Sequence, residues 1–265
     1  MSTTSFQYKA TFGVTGKIQY KPTQGEVGPE DTIELSADEN LSYKILAKLS
    51  SRDGTSVIQS MILEENPIGP QDPVDFGKYA EEILSQHLNR IKFVSGENSA
   101  TLTNGVVKDH LGKQHSVAIG GLKMGGHSAS VMDKPRCEQA FREKSNKNLD
   151  EYIDRHLSIS KITDPVLKLI SLFALCEFVV GRDREQAENI ALLIESDSLP
   201  SAARNLVAHG RVKRTKTMET LNETFNTPAA KFHEFSRGNN KHMKLVIDCG
   251  EELSSTIKNH IYSLL

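Results

Sequence analysis

The feature that most limits what this chain can fold into is a change of hydrophobic period partway along it. In several short runs before about residue 122 the apolar side chains recur at every second position, whereas after Asn148 they recur every third or fourth. A period of two puts alternate side chains on one face of a strand, and a period near 3.6 builds one face of a helix. The chain therefore reads as α+β, with a mixed β-rich domain at about 1–135 that packs one helix, and an all-α bundle of four to five helices at 148–265.

Within the first region, Phe6, Tyr8, Ala10, Phe12, Val14, Ile18 and Tyr20 hold even positions, which predicts a half-buried strand with a bulge or turn at Gly13 or Gly16. Tyr43 to Leu49 and Val57 to Leu63 alternate on either side of Arg52-Asp53-Gly54-Thr55, the signature of a β-hairpin. Phe76, Tyr79, Ala80, Ile83, Leu84, His87, Leu88 and Ile91 have helical spacing, and His87 on that stripe reads as a buried histidine rather than a ligand. Strands resume at about 100–108 and 116–122. The glycines at 120, 121, 125 and 126 lack the GxxxxGK[ST] spacing of a phosphate loop and read as a turn. His110, His115 and His127 have no carboxylate or cysteine at ligand spacing, so no metal or cofactor is expected. Residues 133–148 are charged and poor in apolar side chains, the composition of a solvated connector.

Charge excludes a polycation. The chain has 32 Lys and Arg against 34 Asp and Glu, balanced in each half, so nucleic acid would have to be held by a local patch. Cys137, Cys176 and Cys249 form no paired or metal-ligand spacing, and the start of the chain has no basic-then-apolar leader. The longest apolar run, Leu167 to Val180, is interrupted by Ser171 and Glu177 and is too short to span a membrane. Together these features predict a cytoplasmic protein with no membrane partner.

In the second region Leu149, Tyr152, Ile153, His156 and Leu157 make the first amphipathic helix. Asp164 caps the next, Pro165 starts it, and Gly181 is expected to end it. This second helix is apolar nearly all round, which predicts the central position in a bundle. Glu177 falls opposite its polar strip and is expected to point into packed surroundings, facing Arg204 or another cation. A third helix is expected over about 183–195, and the last over 241–264.

Between these helices lies Arg204-Asn205-Leu206-Val207-Ala208-His209-Gly210. On a helix, Ala203, Leu206 and Val207 face the core, Asn205 and His209 share the other side, and Arg204 can reach them. Ala202 and Ala208 are small neighbours that would let a second copy approach. Guanidinium binds phosphate oxygens bidentately and is always charged, and imidazole moves protons near neutral pH. Arg211, Lys213, Arg214 and Lys216 follow as a dense basic patch suited to flanking phosphates, with few nearby aromatic residues for base stacking.

Arg204-Asn205-x-x-x-His209-Gly210, set between helices, resembles the RNxxxH signature of the HEPN superfamily over about 148–265. The resemblance implies an all-α bundle that dimerises, with paired motifs forming a metal-independent ribonuclease site of the kind found in bacterial toxin and antiviral-defence systems. It assigns catalytic roles to Arg204 and His209 and a supporting one to Asn205. RNA is then the substrate, a second copy of the chain the partner, and Glu177 a supporting residue. The alternative is a non-catalytic binding or dimerisation module, with the β-rich domain sensing a ligand or a regulatory protein.

Overall fold

The computed structural model describes all residues except 1–6, 36–42, 53–54, 68, 97–98, 119–131, 142–147, 213–214 and 229. The chain divides into two compact units, Met1–Ser145 and Asn146–Leu264.

Among the described residues, the first unit is built on an antiparallel sheet of seven strands. β1 (Tyr8–Thr15) runs between β5 (Thr55–Glu65) and β6 (Thr101–Lys108). Its even residues Tyr8, Ala10 and Phe12 are fully buried, as alternation requires. Both suspected irregularities occur. The register slips between Phe12 and Val14, and the backbone turns at Gly16 with φ 91° before resuming as β2 (Gln19–Tyr20), which pairs with β5. β3 (Thr32–Glu34) lies at one edge beside β4 (Tyr43–Arg52), and β4 and β5 form the hairpin, with Arg52 opposite Thr55. At the other edge β7 starts at Gln114 and ends at Val117, earlier than the sequence suggests. The glycine-rich stretch with His127 lies outside the described residues.

Helix α1 (Pro73–Ser95) packs against β6, β7, β1 and β5 through Phe76, Ala80, Leu84, Leu88 and Ile91. His87 is buried and its Nδ1 donates to the Ile83 carbonyl at 2.8 Å. The expected connector is instead partly a second helix, α2 (Lys134–Phe141), packed on α1. Asp133 opens it by accepting from the Arg136 amide at 3.1 Å, and Cys137 and Ala140 are buried despite the charged residues around them. A count of charges hid two apolar positions three apart, enough to anchor a helix of two turns.

The second unit contains six described helices rather than four or five: α3 (Leu149–Ser160), α4 (Pro165–Asp183), α5 (Glu188–Leu193), α6 (Leu199–His209), α7 (Thr215–Phe225) and α8 (Asn240–Leu264). It is also not purely α, because β8 (Arg211–Val212) pairs with β9 (His233–Glu234). α4 touches α3, α5, α6 and α8. Asp164 caps it by accepting from the Val166 and Leu167 amides at 2.9 and 3.0 Å, and also holds Arg237 at 2.5 Å. The helix passes through Gly181 without ending and reaches Asp183, which accepts a hydrogen bond from the Tyr152 hydroxyl. α5 covers only the middle of the span expected for it, with Ala187 and Ile190 buried and Leu192 exposed.

No helix among the described residues is long and apolar enough to cross a membrane. The three cysteines are free and buried, and burial pushes each thiol up to about 12.

Candidate functional site

Local sequence explains why α6 begins and ends where it does. The Ser198 hydroxyl accepts from the Ser201 amide at 3.2 Å and donates to the Leu193 carbonyl at 2.7 Å, tying the end of α5 to the start of α6. Pro200 lies in the first turn, where its missing amide costs nothing. At the far end Gly210 takes φ 66°, a left-handed conformation that side chains resist.

The helix then sorts its residues by face. Ala202, Ala203 and Leu206 are completely buried, and Leu206 alone is worth about 1.5–3 kcal/mol of burial. Val207 is half-buried, at the edge of the core rather than in it. Ala202 is therefore not on the outer surface expected to receive a second copy, while Ala208 is. Asn205 and Arg204 are half-buried, and Arg204 Nη1 donates to Asn205 Oδ1 at 3.1 Å. The guanidinium also lies 5.6 Å from the Phe173 ring centroid on α4, within cation–π range. His209, one turn beyond Asn205, is exposed and makes no hydrogen bond to a described residue.

Glu177 does not join them. The buried residues of α4 are Val166, Leu169, Leu172, Phe173, Leu175, Cys176 and Val179, whereas Leu167, Ala174, Glu177 and Gly181 are exposed. Those four positions are spaced seven, three and four apart and form one outward stripe. Apolar composition does not mean burial on this face: Leu167 is 55% exposed on that stripe, so Glu177 needs no internal cation.

Arg211 belongs to β8, and Lys216 is exposed in the first turn of α7, while Lys213 and Arg214 lie outside the described residues. α7 packs on α6 and buries Thr217, Met218 and Leu221. The Phe235 amide donates to the Gly210 carbonyl at 2.7 Å, and His233 Nε2 meets Asn222 Oδ1 at 2.8 Å, so β9 is bonded to α7 and the residue that follows it to the motif's end. Behind this ribbon Phe225 lies 5.3 Å from the His233 ring and 5.1 Å from His242. Burial pushes both imidazoles down from the ordinary histidine value, and at His233 the neighbouring His242 adds to the effect.

The ribbon also supplies an aromatic residue that inspection of the motif's neighbourhood misses. Phe232 is 42% exposed, and the Arg211 guanidinium lies 3.8 Å from its ring centroid. The scarcity of aromatic rings read from the sequence is thus overturned by pairing across twenty-odd residues. The only signal was an apolar aromatic residue in a polar, strand-poor stretch, which by itself has many explanations.

The resulting arrangement offers a cation and an amide joined to each other, an exposed imidazole one turn away, and a second cation on an exposed ring. Its chemistry is that of anion recognition beside a group able to give and take a proton. Among the described residues no His, Cys, Asp and Glu are grouped to hold a metal ion. Comparison with protein-family models finds no match to this chain, and none is found among curated proteins or solved structures.

Proposed function

We propose that the second unit is a HEPN-type ribonuclease domain, and that the protein is a metal-independent endoribonuclease acting as a homodimer. The observation that carries this reading is the outward, unbonded imidazole of His209 one helical turn from a guanidinium–amide pair. A histidine retained for packing would be bonded into its own core, as His87 is in α1.

In this mechanism the ribose 2′-hydroxyl attacks the adjacent phosphorus and the 5′-oxygen leaves, giving a 2′,3′-cyclic phosphate and a 5′-hydroxyl end. One imidazole takes the 2′ proton and another delivers a proton to the leaving oxygen, which is why two copies of His209 are required. Arg204 stabilises charge on the non-bridging oxygens, positioned by its bond to Asn205. Arg211 and Lys216 hold flanking phosphates. The Arg211–Phe232 pair gives one base a surface to stack on without reading its identity.

The test is cleavage of single-stranded RNA in EDTA. Wild-type protein is expected to cut and leave a cyclic phosphate, and His209→Ala to lose roughly 100-fold or more of that activity. Cleavage that requires added metal, or that survives loss of His209, would remove the proposal.

A further inference from the structure

A cavity of about 670 Å³ lies wholly within the second unit, between the start of α4 and the middle of α8. Its size falls in the range of small-molecule sites. Its apolar wall is aliphatic, formed by Ile162, Pro165, Val246 and Ile247. Gly250 forms part of the lining, and a Cβ added there would meet nothing within 4 Å.

The polar part carries Lys168 and Lys258, neither of which has an ion-pair partner among the described residues. Lys258 Nζ is 5.7 Å from the Tyr262 ring centroid. Both lysines bear on His156, a buried imidazole whose Nε2 lies 3.4 Å from Ser254 Oγ on the cavity wall. The amides at the start of α4 are already taken by the Asp164 side chain, so an anion in the cavity would be held by the ammonium groups and the hydroxyls of Ser254 and Ser255, not by the helix end.

The lining also discriminates among anions. Among the described residues that line it there is no aromatic ring on which a nucleobase could stack and no arginine to grip a phosphate bidentately. Glu251 contributes one carboxylate, so the two ammonium groups leave a single net positive charge, matched to a monoanion.

We propose that this cavity binds an aliphatic monocarboxylate, with its head between Lys168 and Lys258 and its chain along Ile162, Pro165, Val246 and Ile247. The site is separate from the motif on α6 and does not depend on what that motif does.

The experiment is titration of the full chain with octanoate, adenosine monophosphate and inorganic phosphate, read by calorimetry and by amide chemical shifts of Gly250 and Ser254. Octanoate is expected to bind saturably, to shift both amides and to weaken as salt rises, while the two phosphates leave the shifts unchanged. Lys168→Met with Lys258→Met keeps the apolar stems and is expected to weaken octanoate at least tenfold. Gly250→Leu fills the open space with a better helix former and is expected to fold normally and abolish binding. Octanoate affinity unchanged in both variants, binding of a phosphate in its place, or no response to any probe at millimolar concentration would each overturn the proposal.

Discussion

Helices α1 and α6 begin and end with the same devices. Asp72 accepts from the Val74 and Asp75 amides, as Ser198 accepts from Ser201, and each helix has a proline in its first turn. Gly96 and Gly210 close them with φ of 73° and 66°. Each carries a histidine in its second half, and there the likeness stops. His87 is buried and bonds back to its own helix, whereas His209 is exposed and bonds to no described residue. Capping fixes where a helix stops and leaves its side-chain chemistry open. The difference between the two helices therefore lies in which face each histidine occupies, and mutation can separate the two consequences.

The largest contrast is expected from the paired alanine variants. His209→Ala should lower RNA cleavage by roughly 100-fold and leave urea stability within about 0.5 kcal/mol, whereas His87→Ala should cost about 1–3 kcal/mol and leave cleavage per folded molecule unchanged. If His87→Ala abolishes cleavage in folded protein, the proposed division of roles fails. Next is Arg204→Lys, which keeps a charge but loses the planar fork; a fall in kcat of about tenfold or more in the cleavage assay would support bidentate contact with the phosphate.

A third expectation concerns buried imidazoles in the second unit. His156 is pushed down to about 4, chiefly by burial and then by Lys258 and Lys168, and burial also lowers His233, His242 and His260. The unfolded chain binds these protons more readily than the folded one, so the contribution of all four is fully present above the unfolded value near 6.5 and is lost as pH falls below it, in the case of His156 through about 4. For His156 alone the loss is on the order of 3 kcal/mol. Tm measured across that range should fall with acid, and His156→Gln should flatten the slope.

The smallest effects should be equal in the two helices. Gly96→Ala and Gly210→Ala each force a left-handed residue and should cost about 1 kcal/mol, as should Asp72→Ala and Ser198→Ala through the lost cap. Denaturant midpoints would check this, and an excess loss at Gly210 would mean that the bond from Phe235 to its carbonyl depends on that backbone geometry.

Much of the fold was legible because its signals are local. Asp164-Pro165, Ser198 with Pro200, and Gly210 mark helix ends through contacts only a few residues apart, and the alternation of β1 shows directly in its burial. α7 is hidden in the sequence because its buried Thr217, Met218 and Leu221 follow directly on the lysines and arginines of the basic patch, and three apolar-facing positions give a weak helical period. Glu177 was misplaced because hydropathy records what a side chain is, not which face of α4 the neighbouring helices cover. In the candidate site, Arg204, Asn205 and His209 were readable from spacing, but Phe232 reaches Arg211 only through the β8–β9 pairing, which no local pattern encodes.

The buried thiols make the protein its own stability probe. Thiol reagents attack the thiolate, so a cysteine buried and pushed up to about 12 reacts only when its surroundings open. Cys137 lies in the first unit, and Cys176 and Cys249 lie in the second. The labelling rate at each position therefore reports the opening free energy of its own unit under native conditions, without denaturant. A ligand or a partner copy that stabilises one unit would slow its cysteines and leave the other unit's rate as an internal reference.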